Sequence, residues 1–489
     1  MNKNFVLPVL FAISLLSASC NPEEVIGSTD TDTDNSSTQV EVSSDYDWND
    51  TNVKTITFNG SSISSSSTDV TISETQATIT AGGYYIVTGT LTNGQLVINA
   101  NSEEVKIQLN GVTISNSSTT PFFIKKAGKV IVFLPSGTTN TFSDASSYSN
   151  SDEPNGCIFS NSYLGFTGDG TLKVTGKYTD GISSDDQIVI KSGTINVTAV
   201  DDGIRGKDYL VIHGGNITAT STSGHALKSD NTDTGYGYVK IDGGTLTLAS
   251  TSGKGIKAVN KYTQENGDIT ITKSFEGIES YSINVNGGTL NITSSNDGIN
   301  ATAGTVSGGT ESNDGSNFNM TGGTLITSCT NGDAIDSNGN ITISGGVIVA
   351  NGPSSGVEEA VDFNGSLNMN GGVFIGAGSN SNMTKAMSAS STQPNMFITS
   401  SSMISSSTLI NIRIGTDDVI TFKPKYGGYK FLLSAPEMTK GASYTIYTGG
   451  NYSNGTNTGG YYTGGTYTEG TSKKSGTLST SGTVNKISL

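Results

Sequence analysis

Arginine and histidine are almost missing from this 489-residue chain, which has only Arg205, Arg413, His213 and His225. Chemistry built on histidine is therefore nearly excluded by supply. Charged residues make up 14% and hydrophobic residues 33% of the sequence, both well below the roughly 25% and roughly 45–50% of ordinary globular chains. The length would allow several conventional domains, but this composition does not build them. The formal net charge is −16. Phosphate binding needs a basic footprint, so nucleic acid is not an expected partner. Of the cysteines, Cys157 and Cys329 sit in repeats far apart along the chain. A disulfide between them is geometrically implausible, and both are expected as small buried side chains.

What is present is glycine, 63 residues of it, together with much serine, threonine and asparagine. Short Val/Ile/Leu runs recur at regular spacing, which argues against disorder. A solenoid needs only a thin apolar core, because each coil buries its inward residues against its neighbours.

The N-terminus has the form of a targeting signal. Lys3 is followed by a mostly apolar stretch, Phe5 to Ala18, too short to span a bilayer as a stable helix. It ends in Leu16-Ser17-Ala18-Ser19-Cys20, which resembles a lipobox whose cysteine is acylated. The expectation is an exported protein, lipid-anchored through Cys20 to the outer membrane or cell surface, with the lipid as its only membrane contact. Residues 21–49 are rich in Asp, Ser and Thr and read as a flexible tether.

From residue 50 to residue 384 one unit recurs: a strand, a Gly-Gly-Thr-like turn, a second strand, and a turn of the form Asp-Gly-Ile. The turns at Gly214-Gly215, Gly243-Gly244, Gly287-Gly288 and Gly322-Gly323 mark it, with alternating runs such as Ile195-Asn196-Val197 beside them. Where no insertion intervenes, the Asp-Gly-Ile positions return every 21–23 residues. This spacing predicts an all-β chain folded as a parallel β-helix. Glycine is expected where each coil bends sharply and φ turns positive. Insertions are expected at Asp233–Gly237, Thr305–Asn317 and Pro353–Gly356. From 385 to 489 the pattern stops, and a small C-terminal β cap is expected. Within it, Tyr447–Ser472 is Gly/Tyr/Thr-rich and reads as a mobile loop.

Stacked coils bring equivalent residues to about 4.8 Å from one another. The Asp-Gly-Ile column runs Asp180, Asp202, His225, Lys254, Glu276, Asp297, Asp333, Glu359. Three residues on it runs Ser183, Arg205, Lys228, Lys257, Glu279, Asn300, Asp336, Asp362. Stacked carboxylates repel unless a proton or cation intervenes. Asp180, Asp201 and Asp202, with Asp185 and Asp208 as further ligands, therefore form a candidate calcium site. The alternative is that Asp180 and Asp202 cap their own tight turns. Arg205, His225, Lys228, Lys254 and Lys257 form a basic stripe suited to the carboxylates of an acidic sugar polymer, with Tyr236 nearby as a flat face for a sugar ring. The alternative there is charge balance along the column.

Tyr178-Thr179-Asp180-Gly181-Ile182-Ser183-Ser184-Asp185 and Asp201-Asp202-Gly203-Ile204-Arg205-Gly206-Lys207-Asp208 closely resemble the carbohydrate-binding β-helix proteins typified by a clostridial polysaccharide-binding protein. So do Gly82–Gly89, Leu109–Ile114 and Tyr444–Gly450. The resemblance implies a right-handed parallel β-helix with bound calcium and affinity for plant-type polysaccharides, acidic ones included. The family is similar to the calcium-dependent pectate lyases of polysaccharide lyase family 9, which place Asp ligands on adjacent coils and use a nearby Lys as base. Asp180, Asp201 and Asp202 match that ligand arrangement. Arg205 stands where those lyases offer another Asp, and Lys228 or Lys257 stands near the base position. Three functions follow as alternatives: a non-catalytic polysaccharide binder, a lyase acting through Lys228, Lys257 and Arg205, and a surface adhesin or spacer.

Overall fold

The structure, a computed structural model, describes residues 40–148, 154–305 and 310–489. The signal segment, Cys20 and the tether as far as residue 39 lie outside the described residues. The chain divides into two compact units, Met1–Glu41 and Val42–Leu489. Among the described residues, every strand belongs to the second unit.

In the central coils three strands make one turn. One coil runs through Asp180–Ser184, Ile188–Ile190 and Thr194–Ala199, and the next through Ile204–Gly206, Tyr209–Ile212 and Asn216–Ser221. Each strand pairs in parallel with its equivalent one coil away. The result is a parallel β-solenoid of about eleven turns. Its core is a set of stacked apolar columns. Ile182, Ile204, Leu227, Ile256, Ile278, Ile299, Ile335 and Val361 follow one another in register. All eight are fully buried. Burying one such side chain is worth roughly 1.5–3 kcal/mol, so a thin column repeated many times supports a chain poor in apolar residues.

The glycines serve two purposes, where the sequence suggested one. The second glycine of each Gly-Gly turn has positive φ, as in Gly215 at +97° and Gly288 at +74°. The glycine of Asp-Gly-Ile does not. At Gly181 the requirement is space: a Cβ there would lie 2.1 Å from Val197 Cγ1 and 2.7 Å from the Gly203 carbonyl oxygen.

The solenoid is closed at both ends. At the start, Lys54–Gly60 pairs in parallel with Gly83–Thr92 and antiparallel with Ser62–Ser65. At the finish, Val373–Gly378 pairs antiparallel with Gly428–Ser434, which continues to Asn395–Ile404 and Val484–Ser488. A separate six-stranded sheet completes the C-terminal module. These elements cover the last open edge. Tyr447–Ser472 is not the loop expected from its composition. It forms hairpins, Asn451–Ser453 pairing with Thr466–Thr468 and Thr456–Thr458 with Tyr461–Thr463. Cys157 and Cys329 are buried free thiols.

The tether is also shorter than its composition suggests. Ser43–Tyr46 forms a 3-10 turn. Asp45, 1% exposed, meets Lys129 Nζ at 2.6 Å. Lys106 Nζ donates to the Ser44 and Asp47 carbonyls. Trp48 packs edge-on against Tyr84 and Phe133, with ring centroids 5.4 and 5.1 Å away. A polar segment is held because it brings one buried ion pair and one aromatic anchor. Removing one partner of a buried pair costs about 3–5 kcal/mol. Asp45→Ala should therefore release this segment. Trp48 is the sole tryptophan of the chain, so its emission should shift to the red while the β-sheet circular dichroism stays. Unchanged emission would show that the aromatic contacts suffice.

Candidate functional site

The stacking predicted from the repeat is present residue for residue. Ser183, Arg205, Lys228, Lys257, Glu279, Asn300, Asp336 and Asp362 are successive partners along one parallel sheet. Three positions earlier, the column from Asp180 has a structural duty that the sequence did not reveal. Its side chains do not cap their own turns. Asp180, Asp202, His225, Asp297 and Asp333 instead accept the amide of the same column position one coil on. Asp180 Oδ1 accepts from Asp202 N at 3.1 Å, and Asp202 Oδ1 from His225 N at 2.8 Å. His225 Nδ1 accepts from Lys254 N at 3.0 Å, and Asp297 Oδ1 from Asp333 N at 2.8 Å. An amide that leaves the ladder at the bend needs an acceptor, and a short side chain from the coil before supplies it.

This duty uses one oxygen of each aspartate and leaves the other. Asp180 Oδ2 is buried with no hydrogen-bond partner. One carboxylate oxygen each from Asp180, Asp201 and Asp202 lies within 4.8 Å of the other two. Burial, then the neighbouring charge of Asp202 and more weakly that of Asp201, pushes the Asp180 carboxyl up to about 7. Burial and Asp202 raise Asp201 as well. An all-oxygen donor set of this kind could hold a hard cation. Asp202 Oδ2 is shared, because Lys228 Nζ lies 2.9 Å from it.

Asp185 and Asp208 do not join the group. They follow the opposite ends of the short strands Asp180–Ser184 and Ile204–Gly206. Asp185 lies 3.5 Å from Arg205 Nη1, and Asp208 accepts from Asn231 Nδ2 at 2.5 Å. Asp208 also lies beside Asp186, whose carboxyl burial and the Asp208 charge push up to about 6.

The basic stripe is assembled, but its cations are internally paired. Arg205 spends its fork on Asp230, with Nη2 at 2.9 Å from Oδ1 and Nε donating to Oδ2 at 3.1 Å. Lys228 also reaches Asp230 at 3.2 Å. Burial works against the Lys228 charge, yet Asp202 and Asp230 outweigh it and raise its pKa. Lys254 lies 3.0 Å from Glu279 and 3.8 Å from Glu276, and Lys257 contacts Glu279. Burial and the neighbouring Lys254 charge pull Lys257 down to about 8. At about 8 it is still mostly an ammonium at neutral pH. His225 is no cation there, because burial lowers it to about 4. Tyr236 lies in the loop before Tyr238–Ile241, where its carbonyl accepts from Asn260 Nδ2 at 2.8 Å.

The sequence reading missed Phe275. It precedes Glu276, is 43% exposed, and has Lys254 Nζ 5.8 Å from its ring centroid. Its signal was positional. Phe275 falls in the column of Asp201, Gly224 and Gly253, where every neighbour is small or polar.

The solenoid thus presents one face of stacked carboxylates, paired cations and an exposed aromatic ring. A family model described as carbohydrate-binding domain-containing protein matches residues 73–317, half of the chain. The chain belongs to that family of carbohydrate-binding proteins. A carbohydrate-binding domain-containing protein of Acetivibrio thermocellus is 33% identical over 156 residues, which are 31% of this chain and 54% of that protein. The chain thus spans about half the length of the curated relative it matches. It is also similar to a solved structure, the gadolinium derivative of the polysaccharide lyase-like protein from C. thermocellum. Identity is 31% and the TM-score 0.44, over 45% of this chain and 90% of that one.

The His225 geometry has a pH consequence. Its folded pKa, about 4, lies below the ordinary 6.5. The unfolded chain therefore takes the proton first, and stability falls as pH drops from 6.5 towards 4. The loss is at most roughly 3 kcal/mol. In His225→Asn the side-chain oxygen can take the place of Nδ1 and accept the Lys254 amide. Thermal melts should match wild type at neutral pH and show a smaller loss on acidification. Identical acid profiles would mean that His225 is not the group responsible.

Proposed function

We propose that this is a lipid-anchored cell-envelope protein that binds acidic, uronate-containing polysaccharide along the face from Asp180 to Glu279, with calcium held by Asp180, Asp201 and Asp202. The observation that carries this reading is the buried, unpartnered Asp180 Oδ2 beside two more carboxylates. Asp201 is exposed, so a cation held there stays within reach of a ligand outside. Calcium supplies charge neutralisation for polymer carboxylates, and the chain's own residues do the rest. Lys254 and Lys257 share Glu279 and each keeps part of its side chain exposed. A uronate can replace Glu279 as their partner. Phe275 offers a flat face to a sugar ring on the adjacent coil. The lipid anchor rests on the lipobox-like segment ending at Cys20.

The binder reading is favoured over catalysis because Arg205 is engaged by Asp230 and Lys257 by Glu279. One observation supports the lyase alternative. Lys257, lowered to about 8, is the lysine best poised to take a proton.

Retention on polygalacturonate beads should be strong in calcium and lost in chelator. Phe275→Ala and Lys254→Ala should each weaken it roughly tenfold, as for an anchor worth about 1–2 kcal/mol. Calcium-independent retention would remove the metal from the reading, and no retention on any acidic glycan would remove the substrate class. Ultraviolet absorbance from an unsaturated product, abolished by Lys257→Ala, would establish the lyase instead. Cys20→Ala should move the protein from the membrane fraction to the soluble one.

A further inference from the structure

Beyond residue 317, where the family match ends, the same columns turn wholly acidic. They open into a cleft of about 410 Å³ whose walls include Asp297, Asp333, Asp336, Glu358, Glu359 and Asp362. We infer that this cleft is a second divalent-cation site of the calcium class, with Asp333, Asp336 and Asp362 as carboxylate ligands and Glu359 beneath them.

Three observations carry it. The first is placement. Asp336 and Asp362 are register partners on adjacent parallel strands, Ile335–Ser337 and Val361–Phe363. Asp333 stands three residues before Asp336 at the coil bend. One oxygen of each of the three lies within 4.8 Å of the other two. Two oxygens bound to one Ca²⁺ at about 2.4 Å can be at most about 4.8 Å apart, so the three can share one ion, and a cage of several protein carboxylates suits calcium better than magnesium, which keeps most of its waters. The strands that hold Asp336 and Asp362 are fixed by the ladder, so these two ligands do not depend on a loop.

The second is Glu359. It is 2% exposed and lines the same cleft, and neither carboxylate oxygen has a hydrogen-bond partner. The hydroxyls of Ser381 and Thr384 are near enough to temper the rise that burial causes in its pKa, without reaching hydrogen-bonding geometry. A buried carboxylate of this kind is costly unless something positive faces it. Asp333 is itself a carboxylate, and Lys430 acts on Glu359 only at longer range, its Nζ donating to the Ser381 carbonyl.

The third is the charge balance. In the central coils Asp202, Asp230, Glu276 and Glu279 are each paired with an internal lysine or arginine. Among the described residues, the ion pair found at the cleft is Lys385 with Asp362, at 3.2 Å, and Lys385 is 46% exposed at its side chain. One rim lysine and the more distant Lys430 do not balance the carboxylates of this wall. A divalent cation relieves the repulsion among carboxylates held this close together. Among the described residues the cleft wall holds no histidine or cysteine, so a hard cation is favoured over zinc or copper.

The inference is independent of the polysaccharide reading, and the test separates the two. The full-length chain, stripped with chelator, is titrated calorimetrically with CaCl₂ and melted with and without it. Asp336→Asn combined with Asp362→Asn should bind one calcium fewer per chain than wild type, and its melting temperature in chelator should equal or exceed wild type because the repulsion is gone. Asp180→Asn combined with Asp202→Asn should retain the cleft ion. Glu359→Gln, which keeps the shape, should weaken that binding by about tenfold or more. Unchanged stoichiometry in the Asp336/Asp362 variant, or unchanged affinity in Glu359→Gln, would overturn the assignment, whatever happens at Asp180 and Asp202.

Discussion

Everything in this protein depends on the spacing of hydrogen-bonded strands. A parallel ladder holds successive coils at about 4.8 Å and allows no slippage, because a shift of one residue would turn the apolar face outward. The inward column beginning at Ile182 and Ile204 shows the benefit. The outward columns show the consequence. Whatever charge one coil carries at a given position, the next coil places its own equivalent beside it.

The fold meets that constraint in two ways. Where a carboxylate can serve the backbone, it does so, as when Asp180 and Asp202 each accept the amide of the following coil. This turns a potential repulsion into a bond that ties coil to coil. It also explains why His225 fits in the same column, since its Nδ1 stands where an aspartate oxygen would. Where charge remains, the central coils neutralise it internally through Arg205, Lys228, Lys254 and Lys257. The basic stripe is therefore a set of paired cations whose partners can be exchanged, not a row of free ones. The coils around Asp333 use the first device and largely lack the second.

The two acidic groups thus share an origin and differ in surroundings. At Asp180 a lysine competes for one carboxylate oxygen, and the ensemble lies inside the region that places the chain in a carbohydrate-binding family. At Asp336 no lysine intrudes to the same degree, and the carboxylates enclose a cleft. A solenoid can vary such sites independently, because each coil contacts only its neighbours.

How much was legible follows from the physics of repetition. The sequence by itself determined the architecture, the register and the identity of the columns, because a repeat near 22 residues leaves one way to stack. Ser183, Arg205, Lys228 and Lys257 align as their spacing demands. It also determined that Asp180, Asp201 and Asp202 meet. Only the tertiary structure decided what those side chains do once they meet. Asp185 and Asp208 carry the same chemistry as Asp180 but emerge at the other end of their strands, which identity alone cannot express. The docking of Ser43–Trp48 and the hairpins within Tyr447–Ser472 depend on partners far away in the chain, so their polar composition misled. Whether a cation is free or paired depends on angstroms between side-chain tips, and those distances are set by packing rather than by order along the chain.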